Sequence, residues 1–269
     1  MEIYLKEDKS SIISEAHRIY RKEYIELWNF AVMICYAVPT LNKNIDGVEK
    51  NIPNYKMLKP DFFKYYSCDL DELRERIKKY KNQLSSYLWL SNFSFFEAYI
   101  KRILDELVEF HGGGKIFLKT SKLKILKDMD SIPDDIKKHR IKLQKPYDPR
   151  KIDQYKKKTK ILNESHYRYP SELFASYGVK TLLERIDDLR AKDIPTLLKD
   201  AFLFNFDDQM LKTYISYKDK RNNIAHGERV SYSMRETKNM FDYFRDLSYK
   251  IDQHLIANFF VNERYVSKV

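Results

Sequence analysis

Glycine and proline are scarce in this 269-residue chain. Six Gly and eight Pro are less than half the share that average usage would give. Sharp turns must therefore be few and regular elements long, which excludes an all-β sandwich, a glycine-rich dinucleotide fold and a collagen-like or low-complexity chain. Cysteine is almost absent: Cys35 and Cys68 sit in apolar or aromatic stretches and make no disulfide framework, so the expected setting is reduced and cytoplasmic. Long apolar runs are missing too. The longest, Leu27 to Val38, spans 12 residues and is interrupted by Asn29, too short for a bilayer, and is expected to be a buried helix. The N-terminus carries Glu2, Lys6, Glu7, Asp8 and Lys9 without an apolar segment, so neither a signal peptide nor a membrane partner is expected.

Several chemical signatures are absent as well. His17, His111, His139, His166 and His254 form no HExxH or Cys/His cluster, and no metal site is expected. GxSxG, Walker A and GxGxxG are lacking, and no carboxylate cluster suits two-metal chemistry. No cofactor is expected.

What is present is a core-forming composition, 43% hydrophobic and 14% aromatic, under a net charge of +11. The charge is concentrated. Between Lys137 and Lys160 there are eleven Lys or Arg against two acids, a net of +9. Pro146 and Pro149 lie inside this window with Tyr147 and Tyr155 interleaved, which predicts an extended or loosely helical connection. Basic residues with aromatics suit a polyanion, because neutralised phosphates release counterions and aromatic faces stack on unpaired bases. Lys137, Lys138, Arg140, Lys142, Lys156, Lys157 and Lys158 are the expected RNA contacts. A solvated charge run without a partner is the competing reading.

Apolar spacing predicts a helix from Ser10 to Val38, ended by Pro39, and then a linker or surface excursion from Thr40 to Tyr66. Asp69 or Asp71 caps a long helix running to about Phe110, stopped by His111-Gly112-Gly113-Gly114. A basic insertion with one or two short helices fills 115–165, and helices follow at about 171–189, 194–202, 206–224 and 233–260. One helical domain, 1–269, is expected: a helical half 1–114, the insertion 115–165 and a helical half 166–269.

The third of these later segments leads into Arg221-Asn222-Asn223-Ile224-Ala225-His226-Gly227. Five residues of continuous helix rotate by about 500°, leaving Arg221 and His226 some 140° apart. Two features could reconcile them: Gly227 unwinding the helix after His226, or two copies of the motif meeting across a dimer. Asn222 and His226 are an i, i+4 pair, so the amide can orient the imidazole. Arg, Asn and His form a compact set for handling a phosphodiester.

The string Arg221-Asn222-x-Ile224-Ala225-His226-Gly227 resembles the RNxxxH signature of HEPN domains, particularly the RiboL-PSP-HEPN and MAE_28990-like branches. Phe95-Phe96-Glu97-Ala98-Tyr99-Ile100 is similar to the apolar-Phe-Glu helix of that superfamily. The resemblance covers about 70–110 and 171–261 and leaves the basic insertion unmatched. It implies an all-α, HEPN-like helical bundle that dimerises, joins two motifs in one cleft and often cleaves RNA without a metal, in toxins or phage defence, with an antitoxin or sensor protein as a further partner. It implies His226 as general base or acid, Arg221 as the stabiliser of phosphate charge, and Asn222 as orienter or phosphate donor. Glu97 is a further candidate, which if buried near the motif could pair with Arg221 and position it, the competing reading being an exposed helical Glu. Glu228, two residues after His226, stands where one subgroup carries a modified Tyr, so that regulation is not expected. A catalytically silent HEPN dimer that binds nucleic acid or protein is the alternative.

Overall fold

The computed structural model describes residues 13–57, 69–110, 113–114, 133–144, 148–151, 153–154, 157–158, 161, 182, 184–185, 187–202, 204–228 and 232–259. Among these, every regular element is helical and none is a strand, so the chain is all-α. The α-helices are α1 (Glu15–Glu49), α2 (Leu70–Phe110), α3 (Asp134–Gln144), α4 (Ile194–Phe202), α5 (Asp208–Ala225) and α6 (Met234–Phe259), with 3-10 turns at Pro149–Lys151 and Ala191–Asp193. The helix expected over 171–189 lies mostly outside the described residues.

Two compact units are formed. The first draws on Met1–Tyr20, Phe96–Asp219 and Arg245–Val269, the second on Arg21–Phe95 and Lys220–Phe244. In the first, the start of α1 is built on side chains from distant parts of the chain. The Glu106 carboxylate accepts from the backbone N–H of Glu15 and Ala16 at 3.3 and 2.9 Å, and Ser14 Oγ accepts from His17 N–H at 3.0 Å. Three of the four N–H groups that a helix start leaves without helical partners are thereby satisfied. The Ser14 hydroxyl and amide in turn bond the buried Asp252 carboxyl on α6. Beside this cap, Tyr20, Phe96 and Tyr99 pack ring against ring. Tyr214 of α5 is fully buried against Phe96 and Phe206 and donates its hydroxyl to Ala191 O at 2.7 Å.

The second unit buries Tyr24, Ala31 and Ile45 of α1 and Leu84, Leu88, Trp89 and Phe93 of α2, with Met240, Phe241 and Phe244 of α6. Its polar centre is Thr237, whose hydroxyl lies 2.6 Å from Ser85 Oγ and accepts from Trp89 Nε1–H at 3.2 Å.

Two expectations for α1 are corrected here. Pro39 lies inside the helix, which continues to Glu49, so the Thr40–Tyr66 linker begins too early. Proline removes one backbone bond, and the turns beyond it are held from elsewhere. Ile45 is completely buried, and Arg74 of α2 reaches back to Asp46 at 2.6 Å and Glu49 at 2.5 Å. The stop comes at Asn51, whose φ of 51° supplies the left-handed residue. Asn51 N–H donates to Val48 O at 3.1 Å and Ile52 N–H to Gly47 O at 2.9 Å, the paired closure of a Schellman turn.

The Leu27–Val38 run is also not a buried helix. Met33 is 58% and Tyr36 76% exposed, with Phe30 and Val32 exposed beside them. By length and composition alone α1 would suffice to cross a membrane, with a mean hydropathy of 1.3 in its most apolar window. Its Tyr24 and Trp28 nonetheless stack on Phe241, and Arg74 clamps its last turn, as in a packed amphipathic helix.

The boundaries of α2 are as expected. Asp69 Oδ1 accepts from Asp71 N–H at 2.9 Å at its start, and Gly113 N–H closes onto Val108 O at 2.9 Å after its end.

Burial raises the Asp252 carboxyl to about 7, against the opposing pull of its bonds from Ser14. In the unfolded chain such a group titrates near pH 4. Between about pH 4 and 7 the folded state alone holds the proton, so stability falls as pH rises through that window and the loss is complete above it. Urea unfolding at pH 5 and pH 7.5 is expected to show this decline, on the order of a few kcal/mol, and Asp252→Asn is expected to flatten it. An unchanged slope in that variant would remove Asp252 as its origin.

Candidate active site

The site grows from the last turns of α5. Asp207 Oδ1 caps this helix at its start by accepting from Met210 N–H at 2.7 Å, and the helix runs unbroken to Ala225. Gly227 then adopts φ +79°. Its N–H donates to Ile224 O at 3.0 Å, and Glu228 N–H donates to Asn223 O at 2.9 Å. This is a Schellman closure with His226 at the C-cap. His226 N–H still donates to Asn222 O at 2.9 Å, so its backbone is fixed while its side chain is exposed. The unwinding expected at Gly227, just after His226, is thus present, and the helix itself ends at Ala225.

Arg221 is half-buried, with its guanidinium carbon 5.4 Å from the centre of the Phe93 ring. Phe93 is fully buried and meets Phe244 edge-on at 5.1 Å, so the ring beneath the cation is itself immobilised. Arg221 Nη1–H donates to Asn222 Oδ1 at 3.2 Å. The Asn222 amide oxygen is thus engaged by Arg221, and the bond joining positions 222 and 226 runs through the backbone.

One residue earlier, Lys220 lies 5.6 Å from the ring centre of Trp89 and 5.2 Å from that of Tyr232, two rings that pack on each other at 5.0 Å. Its ammonium also donates to Glu236 Oε1 at 3.3 Å. Glu236 closes a capping box at the start of α6: Glu236 Oε2 accepts from Ser233 N–H and Oγ at 2.9 Å each, and Glu236 N–H donates to Ser233 Oγ at 3.2 Å. The Ser233 bonds, backbone first, and then Lys220 hold the Glu236 carboxyl below its ordinary range. Burial, then Glu228 and Glu236, push the Tyr232 hydroxyl up.

Sequence reasoning passed over Lys220, Trp89, Phe93, Tyr232 and Glu236 as members of this site. Only one was readable as a motif, the Ser233-x-x-Glu236 capping box. The others matter through contacts across more than 100 residues of chain.

Glu97 is half-buried on α2, in the first unit. The basic segment also belongs to that unit. Lys137, Lys138, Arg140 and Lys142 fall on α3, and of the three consecutive lysines Lys157 is exposed and Lys158 half-buried. Lys156 lies outside the described residues. Burial first, then repulsion from Lys142 and Lys157, holds the Lys158 ammonium below its ordinary range. Among the described residues no group of three or more His, Cys, Asp or Glu is placed to hold a metal ion.

An all-α chain whose helix α5 closes on Arg-Asn-x-x-x-His-Gly, just before the long α6, has the organisation of a HEPN-type domain. The family model described as RiboL-PSP-HEPN matches residues 67–257, and the chain belongs to that family. The match takes in the 115–165 segment, which the motif resemblance had left outside, and begins after α1. No curated protein and no solved structure gives a match.

Gly227 owes its place to backbone conformation alone, since a Cβ there would meet nothing within 4 Å. Gly227→Ala is expected to cost about 1 kcal/mol through the left-handed φ, measured as a shift of the urea midpoint without change of slope. A neutral result would mean that the turn at His226 is not held in this conformation.

Proposed function

We propose that this HEPN protein is a metal-independent endoribonuclease acting as a toxin or phage-defence effector. The observation that carries the reading is the end of α5: an exposed His226 on a fixed C-cap, one helical turn and a half beyond a half-buried Arg221 braced by Phe93 and Asn222. In the proposed reaction the ribose 2′-OH gives up its proton to a general base and attacks the adjacent phosphorus. The P–O5′ bond breaks, a 2′,3′-cyclic phosphate forms, and the leaving O5′ takes a proton. His226 serves this proton traffic. Arg221 stabilises the charge that develops on the phosphoryl oxygens, a task suited to a guanidinium whose geometry is set in advance. Asn222, with its oxygen turned to Arg221, donates through its NH₂ to phosphate.

The proposal includes a homodimer that brings two motifs into one cleft and control by an antitoxin or sensor protein, as the resemblance to HEPN domains implies. The basic residues of α3 with Lys157 and Lys158 are the proposed grip on single-stranded or looped RNA, without sequence preference of their own.

Purified protein is expected to cut single-stranded RNA in EDTA and to leave DNA intact. His226→Ala and Arg221→Ala are expected to lose about 10²-fold or more in kcat/KM with unchanged circular dichroism. Robust DNA cleavage, or a fully active His226→Ala, would overturn the mechanism. Changing Lys142, Lys157 and Lys158 to Glu is expected to raise KM and to flatten the salt dependence of RNA binding by about 2 in log–log slope. In cells, toxicity of the wild type and harmlessness of His226→Ala are the expected pair.

A further inference from the structure

We infer that Lys220 is a positioning residue that fixes the turn carrying His226 by tying the end of α5 to the start of α6. The chain between these helices, 226–233, carries the exposed His226 from the end of α5 to the start of α6. Lys220 grips both. Its backbone belongs to the last turns of α5, and its ammonium bonds Glu236, the residue that closes the capping box of α6. The same ammonium lies over Trp89 and Tyr232. Tyr232 is the residue just before the Ser233 cap, so the returning chain is pinned to α2 where α6 begins.

Trp89 is completely buried, and its indole N–H is used by Thr237. The platform under Lys220 therefore cannot swing away. A cation on a four-carbon stem between two rings and a carboxylate recognises position rather than a ligand: the rings are 0% and 6% exposed, leaving no face for a substrate. Trp89 and Phe93 are four residues apart on α2, and Lys220 and Arg221 are neighbours on α5. Seating Lys220 on the first ring sets the rotation and height at which Arg221 meets the second.

The inference rests on the ribonuclease reading only for its kinetic arm. Amide hydrogen exchange tests it without reference to activity, read at Gly227 and Glu228, whose N–H groups close the turn. Lys220→Met is expected to speed exchange there by about 10-fold or more, while residues 89–104 of α2 keep their protection. Lys220→Arg, which retains the cation, is expected to restore it, and Tyr232→Phe, which retains the ring, to leave it unchanged. On RNA, Lys220→Met is expected to lower kcat about 10-fold with KM within about twofold. Exchange at Gly227 and Glu228 that stays within about twofold of wild type, or that rises equally across α2, would overturn the inference. Should Lys220→Met fail to fold, Glu236→Gln breaks the same link and carries the same expectation. If the wild type cuts no RNA, the ribonuclease reading fails, while the exchange data still decide the role of Lys220.

Discussion

Two neighbouring cations lie on the faces of two buried rings, Lys220 on Trp89 and Arg221 on Phe93, and the candidate site depends on that pairing. Each such contact is worth about 0.5–2 kcal/mol, little beside the burial of the rings themselves. Its importance is directional. Hydrophobic packing between α2 and the end of α5 would tolerate some sliding or rotation, because apolar contact is non-directional. A guanidinium and an ammonium that must each find a ring face, with Glu236 and Asn222 as further partners, allow far less. The Schellman closure at Gly227 carries that placement from the helix to His226.

The parts of this arrangement that the sequence disclosed are those with local causes. Asp69 as a cap, the glycines after Phe110, the bounds of α4 and the coincidence of Arg221, Asn222, His226 and Gly227 near a helix end can all be read from neighbours a few residues apart. The end of α1 cannot. Pro39 is a strong local stop signal, yet the helix passes it because Arg74, more than 20 residues further on, holds Asp46 and Glu49, and because Ile45 is buried by tertiary packing. The stop that operates, Asn51 at positive φ, is a weaker local signal that prevails because the turn it forms follows a well-anchored helix.

The exposed arc of α1 has a related cause. Periodicity reports which residues of α1 are apolar, and Tyr24, Ala31 and Ile45 do face the interior. It does not say how wide the covered arc is. Phe30, Val32, Met33 and Tyr36 extend the apolar surface beyond what the second unit covers, so an apolar run became a half-exposed helix. The same limit applies to Trp89 and Phe93. Both are core, but an apolar residue of α2 gives no hint that it also supports a cation of α5 from the opposite end of the family domain.

The two motif residues are prepared for different tasks, and the proposed chemistry requires that difference. A group that stabilises charge works best when its orientation is settled before the substrate arrives, since reorganisation then costs nothing at the transition state. Arg221 meets that requirement through the ring below it and the amide beside it. A group that takes and returns a proton must instead reach two oxygens on opposite sides of phosphorus. For that, an imidazole fixed by its backbone and exposed at its ring is better placed than one locked by side-chain bonds. Had Asn222 held the His226 ring, Arg221 would have lost its amide partner and His226 its freedom. With the amide oxygen given to Arg221, the backbone cap restrains His226 only where restraint is useful.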